Sequence, residues 1–400
     1  MTRPLSGIRV LELGNLLAGP FCGMLLGDMG ADVIKIEPRR FGDMIRNTSP
    51  HLQGESANYI AINRNKRSIA IDLKQAAGRD IVLKLAKASD LVLENFRPGV
   101  MEQVGLGIDH VRAVNPEIVY VSVSGFGQTG PLRDRAAVNL VIEAASGSLS
   151  VTGEPGEIPM RPGVQTGDMF GAMFATYAAL AGLMGKVRYG EGRQIDVSLV
   201  EASIAAAVWE TSEYLATGNV PQPLGHKHRL TAPYQVFQAS DGLLVIGCPN
   251  DQLFFKIMQV LGLAEAAKDS RFATYGSRKA NERALLDAIE PAVALGQVGE
   301  LVQALSAFGV PCSKVNSYKD VFDDEHLRQR KIEIEGEHRR AGRVRMVRNA
   351  VLFDRDGPAI DRMAPLLGEQ TVEILSQCGY APDAIQRMID EKVVEVPTEP

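Results

Sequence analysis

The first forty residues constrain the fold of this chain most. IRVLEL is a short apolar run, AGPFCGMLLGDMG carries small and apolar residues at helical spacing, and ADVIKIE is a second apolar run. Residues 8 to 37 therefore read as strand, helix, strand, and two strands joined through a helix run parallel. SIAIDL (68 to 73), DLVLENF (90 to 96) and IVYVSVSGF (118 to 126) are further strand candidates, and helical stretches such as GRDIVLKLAKA lie between them. This alternation predicts an α/β fold, a parallel sheet with helices on both faces.

A long Ala-rich helix follows from about Asp168 to Gly185, then a strand GRQIDVS and a second helical run from about Leu199 to Leu215. Residues 216 to 232, rich in Gly, Pro and basic side chains, read as a linker closing a domain at 1 to 215. A second domain is expected over 233 to 325. Within it YQVFQASDGLLVIGC reads as a hairpin turning at Asp241-Gly242, and helices cover 251 to 308. Residues 326 to 400 form a further linker and a C-terminal segment, with β-like spacing from Arg343 to Phe353.

Composition removes several functional classes. With 45% hydrophobic and 23% charged residues among 400, the chain is globular rather than disordered. The N-terminus lacks the basic-then-apolar order of a signal peptide and no run of 18 apolar residues occurs, so a cytoplasmic, non-membrane protein is expected. Cys22, Cys248, Cys312 and Cys378 are far apart in sequence, no HExxH occurs, and His226 and His228 fall in the linker. No metal site is therefore expected. A net charge of −5 argues against nucleic acid. Between Lys35 and Arg97, however, 12 Lys and Arg face 7 Asp and Glu, including Arg39, Arg40, Arg46, Arg64, Lys66, Arg67, Lys74 and Arg97. That local surplus suits a small polyphosphate ligand.

Two motifs decide against common chemistries. GFGQTG (125 to 130) fits GxGxxG after a strand, but Pro131 and a polar stretch follow where a dinucleotide fingerprint needs a helix start. No GxSxG occurs, so acyl chemistry would need another nucleophile. QTGDMFGAMFATYAALAGLM is the suggestive segment. Asp168 stands in the first turn of an apolar helix, where the dipole and free N–H groups favour an ionised carboxylate. Asp is also a common helix cap. Gly167 and Gly171, on either side of it, are expected to let a ligand approach the carboxylate.

PLSGIRVLELGNLLAGPFCGMLLGDMGADVIKIEP, GD at 42 to 43, NRNKRSIAIDLK, LVLENFRPGVMEQVGL, NPEIVYVSVSGFGQTGP, TGDMFG, GEGRQIDVSLVEA, DGLLVIG, GVPCSKV and APLLGEQTVEIL, in this order from residue 4 to residue 377, closely resemble class III CoA-transferases, the CaiB/BaiF type. The resemblance implies a Rossmann-like large domain built from both chain ends, a smaller α+β domain between them, and an interlocked homodimer. It implies that Asp168 is a nucleophile forming an aspartyl mixed anhydride and then an aspartyl-CoA thioester, with no cofactor beyond CoA or acyl-CoA as substrate. It carries CoA contacts onto Asn15, Leu16, Arg39, Ile71, Asp72, Leu73, Lys74, Asn95, Phe96 and Arg97. Phe96 is expected to cover the adenine, and the backbone amides near Asn15 and Leu16, together with those of the Asp168 helix, to serve as oxyanion donors.

Departures bear on the substrate. Formyl-CoA transferases have Gln where Leu17 stands and Arg where Gln103 stands, and a glycine-run loop that is missing here, which argues against oxalate and formate. Racemases of the group need a His upstream of the aspartate, and RDRAAVNLVIEAASG has none. Transfer is thus preferred over 2-methylacyl-CoA racemisation and over a non-catalytic CoA-binding role. Succinyl-CoA with a small dicarboxylate is favoured, with Arg46, Arg133 and Arg135 as cations for a distal carboxylate.

Overall fold

The computed structural model describes residues 3–355, 357 and 359–397. Its main sheet has seven strands: β1 (Arg9–Leu13), β2 (Asp32–Pro38), β3 (Lys66–Ile71), β4 (Leu91–Glu94), β5 (Val119–Ser124), β6 (Gln194–Ser198) and β7 (Val394–Glu395). They lie in the order β7-β3-β2-β1-β4-β5-β6. Every pairing is parallel except β7 on β3, where a C-terminal strand closes the edge antiparallel, Val394 opposite Ile71.

Alternate side chains of each strand serve opposite cores, which is why the strands read as unbroken apolar runs. Leu11, Leu13, Ile34, Ile36, Ile69 and Ile71 pack on one face against Ile81, Val82 and Leu85 of helix α1 (Ala76–Lys87). Val10, Val33, Leu91, Leu93, Val119 and Val121 pack on the other, against Cys22 and Leu26 of the helix Ala18–Asp28. Ala175, Ala179 and Leu183 of the long helix Thr166–Tyr189 share that second core. At about 1.5–3 kcal/mol for each large aliphatic side chain, the two cores fix the sheet.

Charges inside this fold narrow one expectation. Lys35 and Lys66, both wholly buried, hold the carboxylates of Glu12 and Asp43 at 2.8 Å. Arg46 pairs with Glu37, Arg64 with Asp28 and Arg67 with Asp32, at 2.6–2.7 Å. Five of the twelve N-terminal cations are thus spent on internal pairs, while Arg40, Lys74, Lys84, Lys87 and Arg97 stay exposed.

The chain packs as two compact units, one formed by residues 1–148, 162–218 and 330–400, the other by 149–161 and 219–329. In the second, Gln235–Ala239 and Gly242–Ile246 form a hairpin, and Cys312–Lys314 adds a third antiparallel strand. Phe237, Leu244, Ile246, Phe254, Ile257 and Leu285 form its core. The helical run expected from Leu199 to Leu215 is two helices, Leu199–Ala206 and Val208–Thr217, because Ala207 leaves helical geometry with ψ at 53°.

Candidate active site

Removing the edge strand, the sheet order is 3-2-1-4-5-6, so the crossovers run in opposite directions on the two sides of the β1–β4 boundary. A crevice opens at the carboxyl ends of the strands at such a point, the usual ligand site of open α/β sheets. Gly14 to Leu17 leave β1 there and Asn95 to Pro98 leave β4. A cavity of about 200 Å³ lies between them, lined by Asn15, Leu16, Asn95, Phe96, Arg97 and Asp168, with Arg133, Arg135 and Asn139 closing it.

The loop after β1 is held from two sides. Asn95 accepts from the Asn15 N–H at 2.8 Å and donates back to the Asn15 carbonyl at 2.9 Å. Asp43 Oδ1 accepts from the Leu16 N–H at 2.9 Å, while Lys35 donates to the Gly14 carbonyl at 2.9 Å. Leu16 is thereby kept at φ 63°, a left-handed conformation costly for a non-glycine residue. The Asn15 and Leu16 amides are therefore already engaged by side chains, which removes their part of the expected oxyanion donors.

We label as α2 the helix Asn139–Ala145 and as α3 the helix Thr166–Tyr189. Asp168 is the third residue of α3, and its N–H donates to Asn139 Oδ1 at 3.1 Å. Behind it lies Glu143, wholly buried, whose Oε1 accepts from Asn139 Nδ2 at 2.9 Å, from Thr166 Oγ1 at 2.6 Å and from the Thr166 N–H at 3.2 Å. Burial first, and the nearby Glu143 carboxylate second, push the Asp168 carboxyl up to about 6. A helix dipole contributes about 0.3–1 kcal/mol in favour of the anion, less than these opposing effects. Asp168 is therefore more basic than an exposed aspartate, not less.

The flanking glycines serve packing rather than ligand approach. A Cβ on Gly171 would stand 2.0 Å from Leu199 Cδ2, and one on Gly167 would stand 3.0 Å from Ile142 Cγ2 and 3.1 Å from Asn139 Oδ1. Both face protein and bring α3 close to its neighbours.

The other expected ligand residues form a second group, outside the cavity lining. Arg39 and Ile71 to Lys74 follow β2 and β3, at the same carboxyl edge of the sheet. The Arg39 N–H donates to the Ile71 carbonyl at 3.4 Å, Asp72 N–H to the Val393 carbonyl at 2.8 Å, and Lys74 N–H to Asp72 Oδ1 at 3.0 Å. Ile71 is a core side chain, Leu73 packs against that core, and Lys74 is exposed.

Of the three arginines expected near a distal carboxylate, Arg133 and Arg135 line the cavity. Arg46 does not: it is bidentate to Glu37, stacks 3.6 Å from the Tyr59 ring centroid and donates to the Pro365 carbonyl. Sequence reading missed Asn139 and Glu143. A signal existed, since Glu143 is the one acid in the apolar stretch NLVIEAA. It also missed Glu94, at the end of β4. Burial pushes its carboxyl up to about 7 against hydrogen bonds from Ser122 and from the Phe96 N–H at 2.9 Å.

The family model described as CoA-transferase family III matches residues 5–371. A succinate–glutarate CoA-transferase of Agrobacterium fabrum is 35% identical over 381 residues, 94% of this chain and 95% of that one. An acetyl-CoA:oxalate CoA-transferase of Acetobacter aceti is 37% identical over 82% of this chain and 83% of its own. The crystal structure of a CaiB/BaiF family protein from Brucella suis superposes with a TM-score of 0.84 at 35% identity, covering 94% of this chain and all of that one. A cavity at the sheet's switch point, an aspartate at its helix start and likeness along nearly the whole chain agree: the protein belongs to CoA-transferase family III.

Proposed function

We propose that this chain moves CoA from a short acyl-CoA, succinyl-CoA in the first instance, to a small dicarboxylate through covalent intermediates on Asp168. The observation that carries the reading is the position of the Asp168 carboxylate in the cavity at the β1–β4 switch point, facing the loops Asn15–Leu16 and Asn95–Arg97. An Asp168 oxygen attacks the thioester carbonyl, the C–S bond breaks, and CoA leaves as thiolate from a mixed anhydride. The thiolate attacks the aspartyl carbonyl and the donor acid leaves as its carboxylate. The acceptor carboxylate then attacks the aspartyl-CoA thioester, the C–S bond breaks and CoA thiolate leaves a second mixed anhydride; the thiolate finally attacks the acceptor's acyl carbonyl, and the Asp168 carboxylate is released. Each step exchanges one anion for another, so no proton transfer is needed. Splitting the exchange this way makes a reaction between weak nucleophiles feasible.

The cluster of Arg39 and Ile71 to Lys74, on the same sheet edge, suits the nucleotide end of CoA, with the thiol end reaching Asp168 past Asn95 to Arg97. Arg133 and Arg135 give the cavity the cations that a distal carboxylate needs. Glutarate and oxalate, in the names of the two relatives, are both dicarboxylates. The second name also weakens the argument drawn from Leu17 and Gln103 against oxalate. The outer face of α3 exposes Phe170, Met173, Tyr177 and Met184, an apolar stripe that we assign to contact with a second copy, in keeping with the homodimer that the resemblance implies.

The test is incubation with succinyl-CoA and a panel of mono- and dicarboxylates in deuterated buffer, with CoA esters read by mass spectrometry. New CoA esters that vanish in Asp168→Ala support the reading. Deuterium gained at the α-carbon of a 2-methylacyl-CoA, without transfer, would replace it by a racemase. A variant Asp168→Ala that transfers at the wild-type rate would remove the nucleophile.

A further inference from the structure

Glu143 stands out because a buried acid beside a nucleophilic acid is an expensive arrangement. Its side chain is wholly buried, three donors from Asn139 and Thr166 converge on Oε1, and Oε2 has no hydrogen-bond partner among the described residues. A core position on α2 could hold an apolar residue, so the carboxylate carries a cost that packing alone does not explain. The same Asn139 that donates to Glu143 accepts from the backbone N–H of Asp168. Glu143, Asn139 and the first turn of α3 thus form one connected unit, and Asp168 is its cavity-facing end.

We infer that Glu143 is a positioning residue of the nucleophile: through Asn139 and Thr166 it fixes the first turn of α3, and its buried charge sets the reactivity of the Asp168 carboxylate. This rests on the reading of Asp168 as the nucleophile. The physical reason is that a carboxylate attacks a carbonyl better the more basic it is, provided that it stays ionised at working pH. An anion held behind Asp168, on the side away from the cavity, raises that basicity without standing in the path of a substrate acid. The other charged groups on elements packed around the helix start are Arg97, Arg133 and Arg135 across the cavity, Asp196 on β6 and Glu201 at the start of the helix Leu199–Ala206. After burial, the Glu143 carboxylate raises the proton affinity of Asp168 further.

Two substitutions of nearly unchanged shape move the charge in opposite senses. Glu143→Gln keeps an oxygen at the Oε1 position and removes the charge. Thr166→Val removes the hydroxyl donor to Oε1 and leaves the Glu143 charge less compensated. The readout is the pH profile of kcat/KM with succinyl-CoA. The acid limb should move by about one pH unit to lower pH in Glu143→Gln, with a lower plateau rate, and to higher pH in Thr166→Val. Profiles that superimpose on that of the wild type, even with lowered stability, would overturn the inference, and if Glu143→Gln does not fold, Thr166→Val decides alone. Asp168→Ala, run in parallel, separates the two levels. Full transfer by that variant removes the nucleophile itself, whereas loss of transfer in Asp168→Ala with unshifted profiles in the other two removes only the role of Glu143.

Discussion

Lys35 and Asp43 form an ion pair at 2.8 Å with neither side chain exposed, and each also holds one end of the loop that leaves β1. Lys35 takes the Gly14 carbonyl and Asp43 the Leu16 amide. Removing Asp43 leaves a buried cation with reduced compensation and a strained loop with a free amide. Asp43→Ala should cost about 3–5 kcal/mol, the range for breaking a buried pair, read as a lowered urea midpoint. A midpoint within error of the wild type would contradict this account of the loop.

The raised Asp168 carboxyl predicts the acid limb of catalysis. With a folded-state value of about 6, kcat/KM should be half its plateau near pH 6 and fall tenfold per unit below that. A limb near pH 4 would mean that neither burial nor Glu143 acts on Asp168 as described.

The same shift has a sign for stability. Asp168 binds its proton more tightly folded than unfolded, so its contribution is fully present below the ordinary value of 3.8 and is lost as the pH rises through about 6. Above that the ionised side chain weighs against folding. Asp168→Asn should raise unfolding free energy by on the order of 2 kcal/mol at pH 7.5, with no comparable gain at pH 3.5, as measured by urea titration at both values.

Arg133 and Arg135 should discriminate acids by their second carboxylate. Replacing both by Ala removes charge-assisted hydrogen bonds of about 1.5–3 kcal/mol each, so the KM of a dicarboxylate acceptor should rise at least tenfold while a monocarboxylate changes little. Equal effects on both acceptor types would assign the two arginines to CoA or to the surface.

Gly171→Ala tests the packing beside the nucleophile. The added methyl would meet Leu199 Cδ2 at 2.0 Å, and overpacking of this kind costs about 1–3 kcal/mol. Pairing it with Leu199→Ala should recover much of that loss in a double-mutant cycle.

The parallel sheet was legible because its strands are buried on both faces and so appear as unbroken apolar runs, such as VIKIE and VYVSVS. The cavity loops were legible through the family resemblance, which singled out Asn15, Leu16, Asn95, Phe96, Arg97 and Asp168; these residues lie after strands or at a helix start and line one cavity. What escaped depends on partners distant in sequence. Arg46 reads as a loop cation, yet Glu37, Tyr59 and Pro365 claim it. The amides of Asn15 and Leu16 read as free donors, yet Asn95 and Asp43 take them. Gly167 and Gly171 read as openings toward a ligand because sequence does not show which side of a helix meets Leu199 or Ile142.

The internal pairing of Lys35, Arg46, Lys66 and Arg67 has a consequence for how a CoA ester would be held. Counter-ions compete with a ligand phosphate only at cations that face solvent, and screening over a Debye length of about 8–10 Å hardly reaches a pair sealed in the core. Among the N-terminal cations, Arg40, Lys74 and Arg97 are exposed and open to such competition. Added salt should therefore weaken capture of the ester through the exposed cations alone, and less than the full count of arginines and lysines suggests.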